Sequence, residues 1–555
     1  MTALGQLKAA LALLRQGEPA EAERLCRAAL AADPGQSGAW HLLGILLLLR
    51  DAPAEAEPAL ARASRAEPAN PVAQFNHGNA LSALGRHHEA VARYQAAIAL
   101  RPEHAEAHDN LGSALRALGR HAEAFASHTR AIALSPDSAA AHNGRGLALT
   151  GLNRAEEAAA DFARAVELDP SLAWARNNLG NALHDLGRPA EALQHLERAL
   201  ALEPGYAEAH ANRGLVLQEI RRFDEARAAY DAALAARPGY GEALKRRATL
   251  RLLQGEFRGG WADYDASAKA LRALDRGRHH DIPDWTGQSL QGRSIVLREG
   301  NGLGDTIQFF RYVPAVVAMG AQVAFLASPR LFRLLRSGAP QVDFVATLQG
   351  RRFDYQCDLW SLPSLFGTTL ESVPSAVPYL AAEPEAIAKW KAWLGSGHFN
   401  IGVAWQGNPA RKIDHGRSLP LAALQPLAEV PGVRLVSLQR DVGLEQLRSL
   451  PAAMPVLDPG AGFDAGDDAF HDAAALMMGL DLVVSSDTAV AHLAGALGRP
   501  VWVALKHMPE WRWMLDRADS PWYPAMRLFR QPAPGEWAPV FDAMAAALPE
   551  ARRRK

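Results

Sequence analysis

The stretch Pro170–Pro204, PSLAWARNNLGNALHDLGRPAEALQHLERALALEP, decides the fold of the first half of the chain. It reads as two helical segments, the first carrying Gly180 and the second carrying Ala192 and Ala199, closed by a proline that cannot continue a helical hydrogen-bond ladder. Working outward, prolines stand at 34, 68, 102, 136, 170, 204 and 238, an unbroken step of 34 residues. In the same register Gly44, Gly78, Gly112, Gly146, Gly180 and Gly214 recur in the first segment. Ala22, Ala56, Ala90, Ala124, Ala158, Ala192 and Ala226 recur in the second, as do Ala29, Ala63, Ala97, Ala131, Ala165, Ala199 and Ala233. Large residues at Tyr94, Phe162, Tyr230 and Tyr264 complete a unit in which small positions let paired helices approach. Self-similarity at a fixed period of this size marks a stacked array.

These positions resemble the tetratricopeptide repeat, over about Ala3 to Tyr240 as seven repeats with a degenerate eighth to about Leu274. The resemblance implies a solenoid over residues 1–275, an α superhelix whose first helices line a concave surface. On those first helices, Asn76, Asn110, Asn178 and Asn212 share one position, which Gly144 interrupts, with Asn143 and Asn177 beside it. An amide both donates and accepts, so such a ladder can hold an extended backbone without reading its side chains. The same amides can instead bond within or between helices. The ladder is similar to that of the O-linked N-acetylglucosamine transferase superhelix, which implies a polypeptide partner along the concave surface.

At 555 residues the chain is expected to hold three to four units of roughly 150 residues. A formal charge of −1 provides no global basic field for nucleic acid or membrane surfaces. Cys26 and Cys357 alone make neither a disulfide framework nor a cysteine-rich zinc site, and they suit a reducing compartment. Lys8 and Arg15 interrupt the apolar N-terminal pattern, which therefore reads as a helix and not a signal peptide. The apolar stretches Leu42–Leu49 and Tyr312–Ala327 are too short or too interrupted to span a bilayer, so no membrane span is expected and the chain reads as cytoplasmic.

Eleven of the 13 tryptophans follow residue 260, where the repeat rhythm stops. Apolar strand candidates then alternate with helical patterns: Ser294–Arg298, Gln322–Ala327, Ile401–Trp405, Arg434–Leu438, Leu482–Ser485 and Val501–Leu505. This alternation implies two α/β lobes with mainly parallel sheets and ligands outside the carboxyl ends of strands.

Three segments stand at such ends. After the first candidate strand, Gly300, Gly302 and Gly304 make a turn where backbone can approach a ligand, followed by Asp305 at a helix start. Its spacing is not that of a dinucleotide fingerprint. After the strand at 401 come Trp405, Asn408, Arg411, Lys412 and Arg417, whose cations can neutralise a diphosphate. The strand at 482 delivers Ser485, Ser486, Asp487, Thr488 and Ala489 to a helix N-terminus able to hold phosphate, with His492 four residues beyond Thr488 on the same helical face.

Together these segments resemble a heptosyltransferase-like GT-B glycosyltransferase over about Trp285 to Val540. Gly304-Asp305 matches that family's Gly-Asp turn, whose Asp is the proposed base, and Asp487, Thr488 and His492 match its nucleotide-site segment. The tail from Trp502 through Glu510-Trp-Arg-Trp-Met514 to Gln531 is similar to bacterial proteins that fuse tetratricopeptide repeats to this domain, including flagellin glycosyltransferases. Gly300-Asn301 stands where those relatives often carry Glu-Gln.

The resemblance implies a GT-B fold of two Rossmann-like lobes: a connector at 276–292, an acceptor-side lobe at 293–390, a nucleotide-sugar-binding lobe at 391–545 and a basic tail at 546–555. It implies an inverting, metal-independent transferase with no cofactor beyond its nucleotide-sugar substrate. Asp305 would be the base, and Gly302, Gly304, Trp405, Asn408, Arg411, Lys412, Arg417, Gln439, Ser486, Asp487, Thr488, Ala489 and His492 would line the donor site. The acceptor is expected to be Ser or Thr hydroxyls of a polypeptide such as flagellin. The alternatives are a saccharide or lipid acceptor, or a scaffold whose transferase region has decayed.

Overall fold

The structure, a computed structural model, describes residues 2–274, 282–300, 302–409 and 416–553. Among them, sixteen consecutive helices run from Ala3–Arg15 to Phe257–Leu274, followed by an α/β region with two parallel sheets, the GT-B-like arrangement. None of the described helices is long and apolar enough to cross a membrane.

The 34-residue period has a direct steric origin. A Cβ on Gly78 would meet the Tyr94 ring at 2.6 Å, one on Gly146 the Phe162 ring at 2.6 Å and one on Gly180 Leu196 Cγ at 2.7 Å, so the missing side chain is the socket for a large residue of the next helix. The turn inside each pair is left-handed at Gly17, Asp51, Gly85, Gly119, Asn153, Gly187, Arg221 and Gly255, again 34 residues apart. That is the conformation glycine adopts without cost and Asn or Asp tolerate.

The chain forms two compact units, Met1–Ile220 and Arg221–Lys555. The second begins well before the expected junction at 275 and holds the last three repeat helices, Phe223–Ala236, Gly241–Leu253 and Phe257–Leu274, together with both sheets. The reason is packing: Leu252, Leu253, Phe257 and Trp261 belong to the same apolar core as Ile295, Leu297, Phe309 and Trp511. The expected connector is also more structured than a linker, since Trp285 N–H donates to Gln356 O and Gln356 N–H to Pro283 O, each at 2.8 Å. Its residues 276–281 lie outside the described residues.

The first sheet holds β1 (Ser294–Arg298), β2 (Gln322–Leu326), β3 (Asp343–Val345) and β4 (Tyr355–Asp358) in the order β3-β2-β1-β4. The second holds β5 (Phe399–Ala404), β6 (Val433–Ser437), β7 (Val456–Leu457), β8 (Leu482–Ser486), β9 (Val501–Leu505) and β10 (Met526–Arg530), in the order β10-β9-β8-β5-β6-β7. Every pairing between these strands is parallel. The strand order reverses between β1 and β4 in one sheet and between β5 and β8 in the other, so each lobe has a crevice at the carboxyl ends of those strands.

Arg311 ties the lobes together: its guanidinium donates to the carbonyls of Pro374 at 2.8 Å and Trp522 at 2.6 Å, and lies over the rings of Tyr379 and Tyr523. Among the described residues, those from 546 onward form no separate basic tail. The helix Ala538–Arg553 continues through them because Leu548 is fully buried and Arg552 donates to Pro431 O.

Candidate functional site

The turn after β1 brings Asp305 into the first turn of the helix Leu303–Phe309. Gly302 is the N-cap, and its carbonyl accepts from Thr306 N–H at 3.0 Å. Asp305 is not the cap; its Oδ1 accepts from Arg512 Nη2 at 2.5 Å. A Cβ on Gly300 would lie 2.9 Å from Asp305 Cβ and 3.1 Å from Trp360 Nε1, so Gly300 is what lets those two side chains crowd the turn. Gly304 has a different task from the expected donor contact: its missing Cβ would stand 3.1 Å from His492 Cδ2 and 3.4 Å from Ala489 Cα. Helices of the two lobes therefore meet at this glycine.

Arg512, on the short turn Trp511–Trp513 beyond β9, organises the acids around it. Besides Asp305 it donates Nε to Gln308 Oε1 at 2.7 Å and pairs with Glu510. Its guanidinium lies 4.9 Å from the Trp511 ring centroid and 5.5 Å from that of Trp360. Burial opposes the charge, and Glu510, Asp305 and Asp487 more than restore it, so the guanidinium is held firmly protonated.

Thr488 caps the helix Ala489–Ala496 with extended backbone, leaving the first N–H groups of that helix at the carboxyl end of β8. Ser485 Oγ lies 3.1 Å from Thr488 Oγ1, while the buried Ser486 Oγ has no partner among the described residues. Burial, then the nearby Glu510, push the Asp487 carboxyl up to about 6, against the pull of Arg512 and Arg417. His492 lies deeper than a ligand contact requires: it is 4% exposed, its Nδ1 is 3.0 Å from Tyr523 OH, and its ring stacks on Trp513. Burial, reinforced by Arg512, Arg311 and Arg417, drives its pKa well down, so the imidazole is neutral.

Two expected donor contacts are framework residues instead. Trp405 is fully buried and donates Nε1 to Gly443 O at 3.2 Å. Gln439 spends both ends of its amide joining the loops after β5 and β6: Oε1 accepts from Trp405 and Gln406 N–H, and Nε2 donates to Gln406 O and Val442 O. An amide saturated in this way has nothing left for a base or ribose. Asn408 is exposed at the loop after β5, and Arg417 bears electrostatically on both Asp487 and His492. Arg411 and Lys412 lie outside the described residues.

The asparagine ladder is used between repeats. Asn110 Nδ2 donates to Asn79 Oδ1 at 2.9 Å, Asn178 to Asn143 at 2.8 Å and Asn212 to Asn177 at 2.8 Å, while Asn76 Nδ2 is 2.9 Å from His41 Nε2. Each bond consumes one amide hydrogen and leaves the residue half-buried.

Sequence reasoning assigned no role to Arg512, Glu510, Gln308 or Trp360. The Trp-Arg-Trp of Trp511–Trp513 was the available signal, since an arginine between buried aromatics needs a carboxylate partner.

Comparison with known proteins agrees with both halves. Tetratricopeptide-repeat models match residues 13–75, 78–115, 107–140, 137–204, 177–241 and 212–270. A model of glycosyltransferase family 9 (heptosyltransferase) matches residues 441–505, which include Asp487, Thr488 and His492 but not Asp305. Protein FlbA of Caulobacter vibrioides is 29% identical over 326 residues, 54% of this chain and 54% of that protein, so the match spans about half the length of that curated relative. A tetratricopeptide repeat protein from Parabacteroides merdae aligns over 44% of this chain and 97% of its own, at 16% identity and a TM-score of 0.38. YrrB, described as a TPR protein with an unusual peptide-binding site, aligns over 34% of this chain and 97% of its own, at 24% identity and a TM-score of 0.29. This chain thus matches tetratricopeptide-repeat models at stretches between residues 13 and 270 and a glycosyltransferase family 9 (heptosyltransferase) model at residues 441–505.

Proposed function

We propose that the protein is an inverting, metal-independent glycosyltransferase that moves a sugar from a nucleotide-sugar to Ser or Thr hydroxyls of a polypeptide, flagellin being the first candidate, recruited by the repeat array. The observation that carries this reading is the packing, through Gly304, of the Asp305 helix against the N-terminus of the helix after β8. A base and an anion-holding helix end then share one crevice.

In the proposed reaction, the Asp305 carboxylate takes the proton of the acceptor hydroxyl as its oxygen attacks the anomeric carbon. The bond from that carbon to the donor phosphate breaks on the opposite side, which inverts the centre. The leaving diphosphate gains negative charge, and the Thr488–Ala489 helix terminus with Arg417 stabilises it. Arg512 fixes the orientation of the Asp305 carboxylate. The half-buried asparagines that recur at one position of the first helices support a polypeptide partner along the array.

Intact-mass analysis of flagellin from cells expressing the full chain or its Asp305→Ala variant tests the reading. A sugar-sized increment present with wild type and absent with the variant is expected. No increment with either protein would overturn a polypeptide acceptor and favour a saccharide or lipid, and an increment with both would overturn Asp305 as the base.

A further inference from the structure

We propose that Tyr264, on the last helix of the repeat array, is a positioning residue on the acceptor side of the transfer site, set beside Asp305 through Trp360. The proposal rests on the glycosyltransferase reading above and adds a residue from outside the region that the glycosyltransferase model matches.

The repeat register marks Tyr264 as exceptional. At Gly44, Gly78, Gly112, Gly146 and Gly180 the residue sixteen positions on fills the glycine's socket, as Tyr94 does at Gly78 and Phe162 at Gly146. In the eighth repeat the glycine is replaced by Ala248, which is fully buried, so a methyl group occupies the socket. Tyr264 stacks on Trp360 instead, with ring centroids 4.9 Å apart and planes 14° from parallel.

Trp360 stands just past the carboxyl end of β4, at the point where the strand order of the first sheet reverses and a ligand crevice is expected. Its Nε1 and Asp305 Cβ approach one common point, the Cβ position of Gly300, at 3.1 and 2.9 Å. That indole N–H is buried and has no partner among the described residues. A buried donor without an acceptor is costly, and a substrate oxygen would relieve it.

The same helix is fixed rigidly to the site. Trp261 donates Nε1 to Thr368 O at 3.1 Å, and its ring packs 5.3 Å from Trp511 and 6.5 Å from Phe309, residues of the elements that carry Arg512 and Asp305. Burial, then the charges of Asp305 and Asp358, hold the proton on the Tyr264 phenol, against the opposing pull of Arg512. The group is therefore an O–H donor under working conditions. A donor phenol, a donor indole and a flat aromatic pair beside the base suit an extended peptide whose carbonyl and hydroxyl oxygens accept those hydrogens.

The test uses the full chain, its Tyr264→Phe and Trp360→Phe variants, and unglycosylated flagellin as acceptor. Tyr264→Phe keeps the ring stack and loses only the O–H. It is expected to raise KM for flagellin on the order of three- to tenfold, with a smaller change in kcat. A KM equal to that of wild type overturns the proposal. If wild type leaves flagellin unmodified, the acceptor reading fails on its own, and a second measurement decides this proposal. In fluorotyrosine-labelled full chain, the Tyr264 resonance, assigned by its loss in Tyr264→Phe, should titrate at lower pH after Asp305→Asn. An unchanged titration overturns the juxtaposition.

Discussion

Arg512 bonds Asp305 at 2.5 Å and Gln308 Oε1 at 2.7 Å, so a single guanidinium from beyond β9 grips two residues of the helix that follows β1. The guanidinium is 6% exposed and serves Glu510 as well. Taking it away leaves the partly buried Asp305 and Glu510 carboxylates without a counter-charge. Arg512→Met is expected to cost about 3–5 kcal/mol of unfolding free energy, with Arg512→Lys recovering part of it, as measured by denaturant titration. A change below about 1 kcal/mol would mean that the acids are solvated and the bridge is ornamental.

Asp305→Asn preserves the shape of the side chain and removes the base. Transfer, assayed well below the thermal midpoint, is expected to fall on the order of 10²- to 10⁴-fold, while the midpoint itself drops because the buried Arg512 loses one of its counter-charges. Unimpaired transfer by the variant would rule Asp305 out as the base.

The Asp487 carboxyl, raised to about 6, penalises the folded state wherever it must ionise. A carboxyl with a raised folded pKa is neutral in both states below about pH 4, and its cost grows from there until the folded pKa is passed. Asp487→Asn should therefore stabilise the chain by about 1–3 kcal/mol at pH 7 and by little at pH 4, with the difference developing between. Urea midpoints for both proteins across that range check it; a gain independent of pH would assign the effect to packing.

Gly304→Ala places a methyl 3.1 Å from a His492 ring already held by Tyr523 and stacked on Trp513. The ring cannot swing away, so the lobes must separate by a few tenths of an ångström. Overpacking of this kind is expected to cost about 1–3 kcal/mol and to lower kcat. A variant with wild-type stability and kcat would show that the interlobe contact has slack.

Arg221 holds a left-handed turn, φ 61°, at the register position where Gly17, Gly85, Gly119, Gly187 and Gly255 stand. Its ion pair with Asp516, at 3.5 Å, is exposed and weak. Arg221→Gly is expected to stabilise the chain by about 0.5–1 kcal/mol in urea denaturation, and a loss of stability would show that the ion pair outweighs the backbone strain.

The strands that sequence reading located are those buried on both faces, such as β1, β8 and β9, because a run of apolar residues announces them. It passed over β3 and β7, with three and two residues, and β10, where Arg527 and Arg530 break the apolar run. It also passed over Tyr355–Asp358, whose polar Gln356 is buried because it bonds the connector. Trp405 and Gln439 looked like ligand contacts because they follow strands, yet a strand end also needs residues that lock its loops together, and their bonds show that use.

The sequence by itself determined the repeat array, since a missing Cβ and a left-handed turn are local demands that recur every 34 residues. It likewise determined the alternation of strand and helix and the position of Asp305 at a helix start. Only the tertiary structure decided that the last three repeat helices belong to the α/β unit, that Arg512 reaches Asp305 across 207 positions, and that Tyr264 abandons its own repeat for Trp360. Those relationships depend on which apolar surfaces and buried charges meet in space, and no spacing along the chain encodes that.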